Sequence, residues 1–345
     1  MWKFNNILLY NVNSNDIVCI IEVKVSVNMI IKVVLLTVGF FVLIKGADFF
    51  VDGASGIAGN FKVPKILIGL TVIAFGTSLP EFAVSVKSIV SGNFDIVLGN
   101  VIGSNIFNIL LILGISSLFK SVSIKENTLK KEIPMMILLF ALVSVLMMDN
   151  MFDSNIINNF SRNDGVVILI FSLIFIYYLI SLTIRDRKDE ENIEILSLPK
   201  SFIFTICGTI MIIVGSNLVV ENASNLAKVI GVSERMISLT IVSLGTSLPE
   251  LVTSVVASRK GESDIAIGNV VGSNIFNIGI VLGIPVCIFG GIDRINFNLV
   301  DLSVMLISGI LLFLFSLSKR RITRKEGLIF IAIFICYYIY ILLNQ

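Results

Sequence analysis

The sequence predicts an all-α polytopic membrane protein with ten transmembrane helices, arranged as two inverted-topology repeats of five helices each. Of the 345 residues, 56% are hydrophobic and 14% are charged, whereas a soluble domain carries about 25% charged residues. Long apolar stretches recur along the chain, and two motif-bearing segments repeat at a constant offset. Lipid is therefore the expected solvent for most of the chain.

Ten stretches are long and apolar enough to cross a bilayer. A crossing takes about 20 mostly apolar residues, because each segment must satisfy its own backbone amides. The fourth stretch is the shortest. The predicted spans are 30–50, 66–90, 96–119, 133–148, 165–184, 201–220, 236–258, 265–289, 299–317 and 327–343.

Basic residues concentrate in alternate loops, which sets the expected orientation. One set of loops carries Lys62, Lys65, Lys120, Lys125, Lys130, Lys131, Arg185, Arg187, Lys188, Lys200, Arg259, Lys260, Lys319, Arg320, Arg321, Arg324 and Lys325. The opposite loops carry only Arg162, Lys228, Arg235 and Arg294. Cytoplasmic loops are rich in Lys and Arg, so we expect both termini outside, in the cell membrane of a prokaryote.

The chain divides into four predicted segments. Residues 1–28 are too polar to span and carry no signal-peptide cleavage pattern. They are either a disordered or peripheral extension, or they precede a true start at Met29. The first repeat covers 29–184, a solvated cytoplasmic linker covers 185–200, and the second repeat covers 201–345.

An internal repeat defines the two halves. Residues 69–115, which begin GLTVIAFGTSLPE, match residues 238–284, which begin SLTIVSLGTSLPE; an offset of 169 separates Glu250 from Glu81 and Asn277 from Asn108. Five crossings is an odd number, so the second half must enter the membrane in the opposite sense. Secondary transporters use such inverted repeats, with the substrate site near the bilayer midplane.

The motif GTSLPE places a glutamate in the middle of a span in each half, at Glu81 and Glu250. A carboxylate at that depth costs about 3 kcal/mol or more unless it meets a cation, a proton or water. The prolines should kink both helices and free backbone carbonyls. Hydroxyls lie within a turn of each glutamate at Thr77, Ser78, Thr246 and Ser247. This all-oxygen set suits hard cations such as sodium and calcium.

A second motif follows in each half, GNVIGSNIFN at 99–108 and GNVVGSNIFN at 268–277. Ser104 and Asn108 are four residues apart, as are Ser273 and Asn277, so each pair lies on one helical face. We interpret the glycines as packing contacts. For Asn105 and Asn274 we expect capping or an interhelical hydrogen bond.

The acidic residues within the spans also have structural explanations. An intramembrane Glu beside a Pro could form only a kink and one interhelical hydrogen bond, but its duplication with the same hydroxyl neighbours favours an ion site. Asp48, Asp52 and Glu221 lie near span ends and are expected at the interface.

The paired motifs on a five-plus-five frame resemble the calcium/cation antiporter superfamily, in particular its prokaryotic calcium/sodium antiporter branch. The resemblance implies an ion site between the second, third, seventh and eighth helices, with the first and sixth helices sliding to alternate access. It implies backbone carbonyls of Ala74 and Ser243 in sodium sites. The implied side-chain ligands are Thr77, Ser78, Glu81, Ser104, Asn108, Thr246, Ser247, Glu250, Ser273 and Asn277.

The resemblance also defines the alternatives. Relatives that depend on potassium carry aspartate at one or both positions of Asn108 and Asn277, and proton/calcium exchangers usually carry glutamate where Gly103 and Gly272 stand. Proton-coupled or potassium-dependent exchange therefore stays an alternative to calcium/sodium exchange, and a cation channel is a further one. We expect no enzyme activity, no cofactor, no nucleic acid and no obligate protein partner; the expected partners are calcium, sodium and the lipid bilayer.

Overall fold

A computed structural model of the chain describes residues 14–92, 94–148, 159–185, 196–231, 243–290 and 299–343, and these are almost wholly helical. The α-helices are α1 (Ser14–Asn60), α2 (Lys65–Ile68), α3 (Ala74–Thr77), α4 (Leu79–Val90), α5 (Phe94–Phe107), α6 (Gly114–Phe119), α7 (Ile133–Leu146), α8 (Arg162–Arg185), α9 (Leu198–Val229), α10 (Ser243–Gly245), α11 (Leu248–Lys260), α12 (Ser263–Phe276), α13 (Gly283–Phe289), α14 (Leu299–Lys319) and α15 (Arg324–Leu343).

Four π-helical turns and one pair of short strands complete the described part. The turns are π1 (Gly69–Ile73), π2 (Asn108–Leu113), π3 (Thr128–Glu132) and π4 (Asn277–Leu282), and the strands are β1 (Val122–Ser123) and β2 (Arg321–Ile322). The strands pair antiparallel, with Val122 opposite Ile322. Single π turns inside α-helices occur frequently at functional sites.

The chain is a polytopic helical membrane protein. Within the described residues, seven helices are long and apolar enough to cross a bilayer, and a bent helix pair makes an eighth. The fourth predicted span appears as the 14-residue helix α7. Residues 236–242 of the seventh predicted span lie outside the described residues, as do 186–195 of the predicted linker and residues 1–13. The count of ten spans stays a prediction.

The first helix is longer than the sequence indicated. Helix α1 runs for 47 residues from Ser14 to Asn60, so helix continues into the segment expected as a disordered or peripheral extension. The part of α1 that is apolar enough to span begins at Met29.

The GTSLPE motif breaks a helix in both halves, as the prolines predicted. The axis turns by 45° between Lys65–Thr77 and Leu79–Val90. Pro80 occupies the first turn of α4, where its missing amide hydrogen leaves no hydrogen bond unmade. Pro249 occupies the same place in α11.

Helices α1 and α9 cross at very short range, because glycines line their contact. A Cβ atom added at Gly46 would lie 2.7 Å from the Cβ of Met211, and one added at Gly215 would lie 2.6 Å from the backbone nitrogen of Leu43. No side chain fits in that space. The two helices therefore pack backbone against backbone along this glycine contact.

The basic loops lie on one face of the molecule. Lys65 Nζ lies 2.8 Å from Glu262 Oε1, and Lys125 Nζ lies 2.5 Å from Asp264 Oδ2. The side-chain nitrogen of Asn60 donates to the carbonyl of Leu196 at 2.7 Å. We call this surface the basic face, and it is the one that the loop charges predict to be cytoplasmic.

Candidate cation site

Two glutamates lie at the centre of the molecule, in the first turns of α4 and α11. Glu81 is 0% exposed and Glu250 is 1% exposed. Each carboxylate lies just after the helix break of its own motif and is held inside the protein. Two negative charges so deeply buried must be compensated by a positive charge or by proton binding.

Each glutamate is bound by the serine of the other half. Ser78 Oγ donates to Glu250 Oε1 at 3.0 Å, and Ser247 Oγ donates to Glu81 Oε1 at 2.8 Å. The two GTSLPE motifs therefore interlock, and both carboxylates belong to one site.

The second oxygen of each carboxylate has no hydrogen-bond partner in the described part of the chain. Glu81 Oε2 and Glu250 Oε2 are buried and accept no hydrogen bond from the described residues. An ionised carboxylate can accept several bonds, and an unused buried oxygen is costly. Each glutamate thus keeps one oxygen for a ligand that carries positive charge.

The serines of the second motif join the same cluster. Ser247 Oγ also lies 3.1 Å from Ser104 Oγ, and Ser273 Oγ lies 3.5 Å from the carbonyl oxygen of Ala74. Thr77 Oγ1 lies 3.1 Å from the carbonyl oxygen of Ile73. Hydroxyls from both halves therefore connect the carboxylates with backbone carbonyls near the helix break in one hydrogen-bonded cluster.

The amides at Asn108 and Asn277 are fully buried and begin the turns π2 and π4. Asn108 Nδ2 donates to Asn274 Oδ1 at 3.0 Å, and Asn277 Nδ2 donates to Asn105 Oδ1 at 3.5 Å. The expected interhelical hydrogen bonds of Asn105 and Asn274 are present.

Two predicted ligands lie at the margin of the described part. Ser243 begins α10, and nothing is described of its side chain. Thr246 is half-buried, and its side chain hydrogen-bonds to the Glu81 carboxylate. Asp48 and Asp52 are not in the site; they lie on the basic face, where Lys260 Nζ is 2.7 Å from Asp52 Oδ1. The structure therefore brings together the following predicted groups: Thr77, Ser78, Glu81, Ser104, Thr246, Ser247, Glu250, Ser273 and the carbonyl of Ala74.

Sequence reasoning missed two asparagines that anchor the glutamates. Asn100 Nδ2 donates to the carbonyl oxygen of Glu81 at 3.0 Å, and Asn269 Nδ2 donates to that of Glu250 at 3.3 Å. Each is the second residue of the GN dipeptide that opens the second motif, and the two are again 169 residues apart. An intramembrane amide present in both copies was the available signal.

The donor set is oxygen throughout. Among the described residues, no group of three or more His, Cys, Asp and Glu side chains is placed to hold a resident metal. Two carboxylates with hydroxyl, amide and carbonyl oxygens fit a hard cation that binds and leaves.

The model of one family, described as sodium/calcium exchanger protein, matches residues 31–181 and 200–343, and so both halves. The chain belongs to the sodium/calcium exchanger family. The expected membership of the calcium/cation antiporters, in their prokaryotic branch, is confirmed.

Relatives that match over most of their length include one whose name gives the same family. The chain is 37% identical to inner membrane protein YrbG of Escherichia coli, with 82% of this chain and 88% of the relative covered. It is 29% identical to sodium/calcium exchanger MaX1 of Methanosarcina acetivorans, with 91% and 98% covered.

Solved structures of the sodium-calcium exchanger NCX_Mj share the fold. One, soaked with 2.5 mM Na⁺ and 0.1 mM Sr²⁺, matches with a TM-score of 0.77 and 34% identity, over 89% of this chain and 98% of that one. These likenesses support cation/calcium antiport by an integral membrane protein, and the family's members are transporters.

Proposed function

We propose that this chain is a secondary antiporter that exchanges calcium for sodium by alternating access. The reciprocal bonds between Ser78 and Glu250 and between Ser247 and Glu81 carry the proposal. They join two buried carboxylates in one site and leave one oxygen of each without a described partner.

The charge of the site supports calcium as one substrate. Glu81 and Glu250 together supply two negative charges, which balance one Ca²⁺. Buried charges are tolerated when they are paired. Calcium takes six to eight oxygen ligands, and hydroxyls, amides and backbone carbonyls supply the rest. We propose the ligands as Thr77, Ser78, Glu81, Ser104, Asn108, Thr246, Ser247, Glu250, Ser273, Asn277 and the carbonyls of Ala74 and Ser243.

The contact between α1 and α9 supports a sliding pair. Glycines at 39, 46 and 53 of α1, with those at 208 and 215 of α9, allow the two backbones to touch. We propose that α1 and α9 move as one unit across the helices that hold the glutamates, and so expose the site to one side at a time.

Flux measurements test the exchange. The purified protein is reconstituted in proteoliposomes loaded with sodium, and uptake of radiolabelled calcium is followed after dilution into sodium-free medium. We expect saturable uptake that depends on the sodium gradient. If only a proton gradient drives uptake, or if uptake requires potassium, the counter-ion is not sodium alone. Calcium flux without any counter-ion would identify a channel.

We propose that the basic face is cytoplasmic and that both termini lie outside. Single cysteines at Lys200 and at Ser91, introduced in a cysteine-free background, test this in intact cells with an impermeant thiol reagent. We expect Ser91→Cys to be labelled from outside, and Lys200→Cys only after the cells are opened. Labelling of both from outside would contradict the inverted arrangement.

A further inference from the structure

Four asparagine side chains meet where α5 and π2 lie against α12 and π4, and all are fully buried: Asn105, Asn108, Asn274 and Asn277. A carboxamide presents an oxygen at one side and an NH₂ group at the other. Only the oxygen attracts a cation. The orientation of each amide therefore decides whether it favours or opposes cation binding.

A methionine fixes the orientation of two of these amides. Asn274 Nδ2 donates to Met136 Sδ at 3.5 Å. A thioether sulfur accepts hydrogen bonds but cannot donate them. The nitrogen of Asn274 must therefore face Met136, and its oxygen faces Asn108.

The same constraint passes on to Asn108. Because the Asn274 oxygen only accepts, Asn108 must turn its NH₂ group toward it, and the two atoms lie 3.0 Å apart. The oxygen of Asn108 is then directed away from Asn274. That oxygen is buried and accepts no hydrogen bond from the described residues.

Asn108 borders the carboxylates. Ser104 lies one helical turn before it, and Ser104 Oγ is 3.1 Å from Ser247 Oγ, which donates to Glu81. Residues four apart share a helical face. The free oxygen of Asn108 thus belongs to the face of the helix that meets the candidate cation site.

We propose that Met136 and Asn274 are positioning residues, which orient Asn108 so that its amide oxygen faces the transported cation. We call this chain of hydrogen bonds the Met136 relay. The inference rests on the proposed function, since it assigns the Asn108 oxygen to the bound cation. Neither Met136 nor Asn274 needs to touch the ion.

The second half of the chain supplies an internal control. Met305 stands 169 residues after Met136, is also fully buried, and belongs to α14, which packs against α5. Yet Asn105 Nδ2 donates to no described residue. The symmetry-related pair, Asn105 and Met305, therefore has the same residue types, but no hydrogen bond joins the amide to the sulfur among the described residues.

Paired substitutions test the relay. Met136→Leu removes the sulfur acceptor and nearly conserves volume, and Met305→Leu makes the same change where no hydrogen bond is lost. We expect Met136→Leu to raise the apparent Michaelis constant for calcium by about two- to fivefold, the worth of one neutral hydrogen bond. The maximal rate should stay within about twofold, because the ligand is weakened in the bound state and the transition state alike. Met305→Leu should match the parent.

A double-mutant cycle separates positioning from packing. Asn108→Ala should itself raise the Michaelis constant for calcium, and Met136→Leu should add nothing in that background, because no amide oxygen remains to be oriented. Additive effects would mean that Met136 acts only through packing, and would overturn the relay.

The remaining outcomes distinguish the two claims. If Met136→Leu, Met305→Leu and the parent have the same apparent Michaelis constant for calcium, the relay is overturned and the proposed function stays intact. An Asn108→Ala variant that transports like the parent would remove Asn108 from the site, and the relay with it. A parent protein that neither binds nor moves calcium would overturn the proposed function and the relay together.

Discussion

At the basic face, α1 packs against α11, and Lys260 Nζ lies 2.7 Å from Asp52 Oδ1 and 2.9 Å from the carbonyl oxygen of Asp48. At the opposite face, the helices related to these by the repeat are α9 and α4, and they make no comparable contact within the described residues. The residues equivalent to Lys260 and Asp52 are Ser91 and Glu221, which cannot form an ion pair.

The two ends therefore differ although the two halves supply matching groups to the centre. Glu81 and Glu250 have nearly the same burial and reciprocal serine partners, whereas among the described residues such packing with an ion pair is present at the basic face and not at the opposite one. The comparison shows that the repeat supplies matching ligand groups to the centre from both halves, whereas the helix contacts at the two faces differ. Under the proposed alternating access, this arrangement is one of two end states.

The largest expected effect tests the symmetry of the centre. Glu81→Gln and Glu250→Gln should each reduce calcium uptake by at least about a hundredfold, because a desolvated Ca²⁺ needs both charges and an amide supplies none. Uptake into proteoliposomes measures this.

The matched control is Glu262→Gln, which makes the same substitution in an ion pair with Lys65 on the basic face and should transport calcium like the parent. If only one of the two central variants loses transport, the halves do not contribute equally. If neither does, these carboxylates are not the site.

A smaller effect tests the asymmetry of the ends. Lys260→Met removes the ion pair between α11 and α1, whose side chains are partly exposed, so its worth is about 0.5–1 kcal/mol. The basic face should then open more often. In proteoliposomes of defined orientation, the apparent Michaelis constant for calcium should fall at the basic face and rise at the opposite face, by about two- to fivefold.

Lys45→Met is the matched control for charge. Lys45 Nζ lies 3.7 Å from Asp48 Oδ2, three residues away on the same helix, so its loss breaks no contact between α1 and α11. It should leave both constants unchanged. Equal shifts in Lys45→Met and Lys260→Met would indicate a surface-charge effect and would contradict a role for the ion pair in closing this face.

Part of the candidate site could be predicted from the sequence. A glutamate in the middle of an apolar span has few physical explanations, and its duplication with Thr, Ser and Pro predicted a helix break, an all-oxygen ligand set and a site shared by the halves. The structure has the break and joins the two glutamates to the opposite halves, and the ligand set stays a prediction. The family followed from the same residues, and was confirmed. The relation of Asn100 and Asn269 to the glutamates was not predicted, because a hydrogen bond to a backbone carbonyl leaves no pattern in composition.

The helix boundaries were predicted less accurately, because hydropathy shows where a chain is apolar and not where its helical backbone hydrogen bonds end. The N-terminal extension of α1 shows this, as do the π turns that begin at Asn108 and Asn277.

The sequence by itself determined which residue types the candidate site contains. Intramembrane carboxylates and prolines are energetically costly wherever they occur, so each needs compensating groups close to it in space. Only the tertiary structure decided which half binds which, as in Ser78 with Glu250 and Asn274 with Asn108. It also decided at which face α1 and α11 are joined by an ion pair. Within the two motifs, most residues 169 positions apart have the same type in both halves, so the residue types alone do not predict which of two equivalent contacts is made. Packing selects one of them, and under the proposed sliding of α1 and α9 as one unit the same contact would not form at both faces at once.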